Sequence, residues 1–107
     1  MKTPRLEDMI KGWFVGAFEP TAFKTDTCEV ALHRQKVGDK VAPHIHKIAT
    51  EITLVVSGHV KIAGKEYHEN DIVVIKPGEI GSLDEVYSDA VFVVVKVPGA
   101  LNDKYPV

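Results

Sequence analysis

Apolar and β-branched residues in this chain come in short runs, and Gly or Pro interrupts them about every ten residues. An aromatic first strand, 13–18, ends at Glu19-Pro20. Residues 27–37 alternate as a second strand, with Val30, Leu32 and Arg34 on one face and Glu29, Ala31 and His33 on the other. After the Gly38-Asp39 turn come a short strand, 41–46, and a stronger one, 51–56, which Ser57-Gly58 is expected to turn. Segments 60–63, 65–68 and 72–75, separated by Gly64 and by Glu69-Asn70-Asp71, read as hairpins. Pro77-Gly78 is the last strong turn before a segment through Leu83 and Val86. Residues 90–97 form the longest β-like run, which must be paired centrally to avoid an aggregating edge. About nine strands and no convincing helix predict an all-β sandwich or barrel. Residues 1–12 read as an N-terminal arm, in which Leu6, Met9 and Ile10 form one helical turn or an extended segment. Residues 98–107 read as a tail lying on the surface.

A length of 107 residues is one domain with one core. Apolar residues at 45% and charged residues at 26% are ordinary globular usage. The net charge is -2, from 13 basic and 15 acidic residues spread along the chain, which argues against nucleic acid as a partner. No apolar run approaches the roughly 20 residues of a spanning helix, so a membrane partner is not expected. The lone Cys28 forms no internal disulfide and fits a reducing, cytoplasmic setting.

The chemistry concentrates in residues 38–58. His44 and His46, two apart on a strand, point to the same face, and Glu51 arrives on the next strand after a bend at 47–50. Two imidazoles and a carboxylate aimed into one space suit a divalent ion such as Zn, Fe(II), Mn, Ni or Cu, with positions left open for water or substrate.

Gly38, His44, His46, Glu51 and Gly58, separated by five, one, four and six residues, match the first conserved motif of the cupins without a gap. The chain therefore resembles the cupin superfamily, in particular small single-domain cupins of the cupin 2 type. The resemblance implies a double-stranded β-helix, or jelly roll, with the motif histidines and glutamate lining its cavity. In the family a second motif, built on Pro-any-Gly, supplies a further histidine as fourth ligand. Here Asp71 and the Pro77-Gly78 turn are kept, but Gly81 or Ser82 stands at the histidine position, depending on how the turn is aligned. Three ligands carry over, and water, Glu79, Ser82 or His33 would take the fourth place. The chain is also similar to small cupins often found beside genes for surface-sugar synthesis, through Gly12-Trp13-Phe14, Phe18-Glu19-Pro20, 46–51, Lys96-Val97-Pro98 and 102–105. That likeness implies a sugar derivative as ligand. Motifs of keto-sugar epimerases are missing, and Lys47 stands where type II phosphomannose isomerase domains carry Arg, so neither activity transfers.

Two functions follow as expectations. One is a metal-assisted enzyme of isomerase, epimerase or oxygenase type acting on a small polar molecule, with Glu79 or Tyr87 moving a proton. The other is a non-catalytic module with a metal-free polar pocket. His59 and His68 are expected at the surface, and His33 either in the cavity or outside. Lys96, odd within a valine run, is read as an edge gatekeeper, with a cavity cation as the other reading. Trp13 and Phe14 seal a core or a subunit contact, Tyr67 offers a second phenol, and Cys28 is an inert thiol. The outward run Ile52, Leu54 and Val56, with the aromatic first strand, predicts a homodimer.

Overall fold

The computed structural model describes residues 1–107. Its strands are β1 (Trp13–Val15), β2 (Glu29–Gln35), β3 (Val41–Ile45), β4 (Thr50–Ile62), β5 (Lys65–His68), β6 (Ile72–Ile75), β7 (Gly81–Val97) and β8 (Tyr105–Pro106). A single 3-10 turn, Leu6–Asp8, precedes them. No helix is long and apolar enough to cross a membrane.

Two long strands organise the molecule. The C-terminal half of β7 lies between β2, with Ala31 opposite Val94, and the N-terminal half of β4, with Thr53 opposite Val94. On their outer sides β2 takes β1 and β4 takes β6. The other halves build a second group: β7 pairs with β3 at Val41–Leu83 and with β4 at Ile62–Leu83, while β4 pairs with β5 and β3 with β8. All pairings between strands are antiparallel. The run 90–97 is thus central, as its composition requires.

Ser57-Gly58 is not a turn. The register between β4 and β7 shifts repeatedly between Val55 and Val60, so this stretch is a set of bulges at which one continuous strand bends. Gly58 has φ +99°, and a Cβ there would fall 2.6 Å from the Ala90 Cα. The bend folds the sheet over itself, so that Ala31, Val55, Phe92 and Val94 of one half pack in the same cluster as Val60, Ile62, Leu83 and Val86 of the other. The strands 51–56 and 60–63 read from the sequence are one element, as are 83–86 and 90–97, because a bulge interrupts alternation as a turn does.

Residues 100–107 are not merely draped on the surface. Strand β8 pairs with β3, Ile45 opposite Tyr105 and His44 opposite Pro106. Asp103 is only 5% exposed. Buried Glu29 holds the approach to this segment, its Oε2 accepting the Ala100 N–H at 2.8 Å. The arm of residues 1–12 also folds back, so that Leu6, Glu7, Lys11 and Gly12 line the mouth of the cavity.

Candidate metal centre

Each of the three motif side chains is aimed by its own piece of backbone. Alternation along β4 sends Glu51, Thr53 and Val55 inward, and β3 with the bend after it delivers His44 and His46 to the same space. The bend is held by Asp103, whose carboxylate accepts the N–H groups of Lys47, Ile48 and Ala49 at 2.8, 3.0 and 2.9 Å. From the other side the Gly78 N–H donates to the His46 carbonyl at 2.8 Å, so the Pro77-Gly78 turn fixes a histidine it never touches through a side chain.

The donor atoms of His44, His46 and Glu51 lie within 4.8 Å of one another. Donors sharing one first-row ion at bond lengths near 2.1 Å would stand about 3.0–3.4 Å apart, so side-chain rotations of about an ångström would close the set. The His44 Nδ1–H donates to the Ala42 carbonyl at 2.8 Å, and since a carbonyl only accepts, Nε2 carries the lone pair. His46 is 4% exposed, yet neither ring nitrogen has a hydrogen-bond partner. Its Nε2 stands 3.4 Å from Glu51 Oε2, near enough to attract but not aligned as a hydrogen bond. A buried imidazole left in this state is costly, and an ion would satisfy its lone-pair nitrogen. The residues therefore fit a divalent metal. Burial, helped by Lys96 and opposed by Glu51 and Asp103, pushes the His46 pKa below the usual histidine value, keeping a bare nitrogen at neutral pH.

These residues border a cavity of about 820 Å³. Its wall combines Val41, Ile62, Ile75, Leu83, Phe92 and Val94 with Trp13, His33, Thr53 and Lys96. His33 is inside; burial lowers its pKa most, Glu51 opposing and Lys96 adding, and its ring stands edge-on to Trp13 at 5.3 Å between centroids.

Several expectations need correction. Lys96 is not an edge gatekeeper: β7 is central, and Lys96 shares the inward face of Phe92 and Val94. Neither candidate proton carrier reaches the cavity. Glu79 is exposed and caps its own turn, its Oε1 accepting the Lys76 N–H at 2.7 Å. Tyr87 lies on an outer face, its ring 4.5 Å from that of His59. His68 stacks on His59 at 4.2 Å and is exposed, whereas His59 is half-buried and also bonds Glu66 at 2.8 Å. The position left open by the missing second-motif histidine is Gly81, the partner of His44 across β3 and β7: a Cβ there would stand 3.9 Å from His44 Nε2. Ser82 is turned to Asp84, to which its hydroxyl donates at 2.6 Å. The sequence marked Asp103 only through its place in the 102–105 segment and gave it no role, because its three partners are 54 to 56 residues away.

An antiparallel sheet folded over itself, with two histidines and a glutamate in its cavity, is a jelly roll. The chain has the double-stranded β-helix fold that its first motif implied, the fold also of solved cupin proteins. A double-stranded β-helix protein from Klebsiella pneumoniae superposes with a TM-score of 0.63 at 26% identity, over 70% of this chain and 66% of that one. A cupin protein from Bacteroides fragilis gives 0.58 at 23% identity, covering 76% and 74%. The DMSP lyase DddQ from Ruegeria pomeroyi gives 0.73 at 15% identity, over 89% of this chain. The chain spans just under two thirds of the Klebsiella protein and about half, 49%, of the lyase. No protein-family model matches the chain, and no curated protein does.

Proposed function

We propose that this is a metal-dependent small-molecule cupin in which His44, His46 and Glu51 hold one divalent ion beside a bound small polar ligand, a sugar derivative on the sequence resemblance. The observation that carries the reading is the buried His46 ring, with both nitrogens unpartnered and two further donors beside it. Such an ion, when present, supplies a Lewis acid for a carbonyl or hydroxyl oxygen of the ligand. The chain's own part is to orient and enclose. The Ala42 carbonyl sets the His44 tautomer, Asp103 and Gly78 place His46, and the apolar residues Ile62, Leu83 and Phe92 form one wall against the ligand.

Elemental analysis of protein purified without added metal tests this. Wild type is expected to carry Zn, Fe, Mn or Ni near one ion per chain, and a His44→Ala, His46→Ala variant to carry none. Equal metal content in the two overturns the assignment.

One observation favours a second reading, capture without turnover: Glu79 and Tyr87 both stand outside the cavity. Turnover of keto sugars under air and under nitrogen separates the two, and inactivity in both supports capture. A cytoplasmic homodimer belongs to the same proposal. It is supported by the free thiol of Cys28 and by an outer sheet face of valine, leucine and isoleucine that no other layer covers.

A further inference from the structure

The inward position of Lys96 is not explained by the metal site. Its cross-strand neighbours are Glu29 on β2 and Glu51 on β4, both also inward, which in a structural role would neutralise it. Neither does so. The Glu29 carboxylate is turned away to the Ala100 N–H, and the nearest partner of Glu51 is His46. Lys96 makes no ion pair or side-chain hydrogen bond; its ammonium instead lies 5.1 Å from the centroid of the Trp13 ring. A cation–π contact holds an ammonium in place without cancelling its charge. The result is a positioned, half-buried cation facing the same cavity as the three metal donors.

The rest of the lining points the same way. At the rim of the cavity the exposed Lys11 and Lys104 add positive charge against the carboxylate of Glu7, while inside it Lys96 faces Glu51, on a chain whose net charge is -2. Glu7 is already engaged by Arg5 at 3.1 Å. A divalent ion would outweigh Glu51 and make the cavity more positive still. A neutral ligand would leave Lys96 desolvated and unpaired beside that ion, whereas an anionic one satisfies both.

Resting on the proposed metal site, and naming its substrate class, we infer that the cavity takes a small hydroxy- or oxo-carboxylate. Its hydroxyl or oxo oxygen would reach an ion held by His44, His46 and Glu51, while its carboxylate is paired by Lys96. A carboxylate suits this wall better than a phosphate. Phosphate sites use clustered backbone N–H groups or Arg forks, and here the strand amides are engaged in the sheet while the interior offers one ammonium.

Trp13, the only tryptophan, is a built-in reporter beside Lys96. In metal-free protein, iodide is expected to quench its fluorescence at least twofold more effectively in wild type than in Lys96→Gln, while neutral acrylamide quenches both alike. In Ni²⁺-loaded protein, calorimetric titration with glycolate and with glycolamide is expected to show a preference for the acid that falls about tenfold in Lys96→Gln and returns in Lys96→Arg. An unchanged preference in Lys96→Gln, no binding of glycolate by wild type, or tighter Lys96-dependent binding of inorganic phosphate overturns the inference. Ni²⁺ uptake is measured separately and is expected to be equal in wild type and Lys96→Gln. Failure of wild type to take up metal removes the proposed function, yet the iodide comparison still decides the role of Lys96, since equal quenching in the two proteins overturns it.

Discussion

His44 and His46 are two residues apart and chemically unalike. One ring is anchored through Nδ1 to the Ala42 carbonyl; the other is buried with both nitrogens unpaired, and its position depends on backbone contacts made by Asp103 and Gly78. Asp103 is therefore a positioning residue whose charge state is coupled to stability. Burial alone would raise its carboxyl pKa, but the N–H groups of Ala49, Lys47 and Ile48, with His46, hold it below the usual aspartate range. A depressed native value means stability is fully present above the unfolded aspartate pKa of about 3.9 and is lost as pH falls through the lower native one. Thermal melts should begin to fall below about pH 6.5, where the buried His33 and His46 resist protonation that the unfolded chain accepts, and fall further below about pH 4, where the Asp103 contribution is lost. Asp103→Asn should remove that part of the acid dependence and cost about 1.5–3 kcal/mol at pH 7. Gly81 gives the complementary test. A histidine there meets Ile75 Cδ1 first, at 3.1 Å from its Cβ, and that methyl is the mobile end of its side chain. Gly81→His should restore a fourth ligand and tighten metal binding tenfold or more, about 1.4 kcal/mol, in a chelator competition. The three first-motif donors were legible because their spacing along one chain segment is what brings them together. Gly81 and Ser82 were not separable, because a one-residue change of register exchanges the two faces of a strand. Lys96 was misread because nothing in a valine run says whether it lies at the edge or the centre of a sheet.

The strands were legible as β structure, but two boundaries between them were not real. Gly with β-branched neighbours signals a hairpin turn or a bulge equally well, and only the partner strand decides. At Gly58 the partner is Ala90, close enough that no Cβ fits, on a backbone with positive φ. Gly58→Ala should destabilise the protein by about 2–4 kcal/mol in denaturant titrations, from backbone strain together with the clash. The same variant should disturb the metal site little, because the Asp103 contacts at residues 47–49 lie before the start of β4, away from its bulged middle. The tail was misread for a related reason. A two-residue strand such as β8 has no alternation to detect, and its anchoring comes from one buried carboxylate and from Glu29.

At the scale of the whole molecule, the outer face of β2, β7, β4 and β6 places Val30, Val95, Ile52 and Val74 in one cross-strand row and Leu32, Val93, Leu54 and Ile72 in the next. Ile72 and Val74 remain 62% and 52% exposed. A two-fold axis lets such a face cover itself, and an aliphatic surface with no charge inside these rows suits a second copy better than a dissimilar partner. Sedimentation at micromolar concentration should give the mass of a dimer, and Ile72→Glu with Val74→Lys should give that of a monomer while leaving metal content unchanged. A wild-type monomer mass would remove the dimer.

The sharing of β4 and β7 between both halves has a further consequence. Neither half owns a complete hydrogen-bonded framework, so neither has a way to come apart while the other persists. Separating one half from the other would therefore break the pairings of both. Amide protons of 31–33 and of 60–62, far apart along the chain, should then exchange with deuterium through one common opening event.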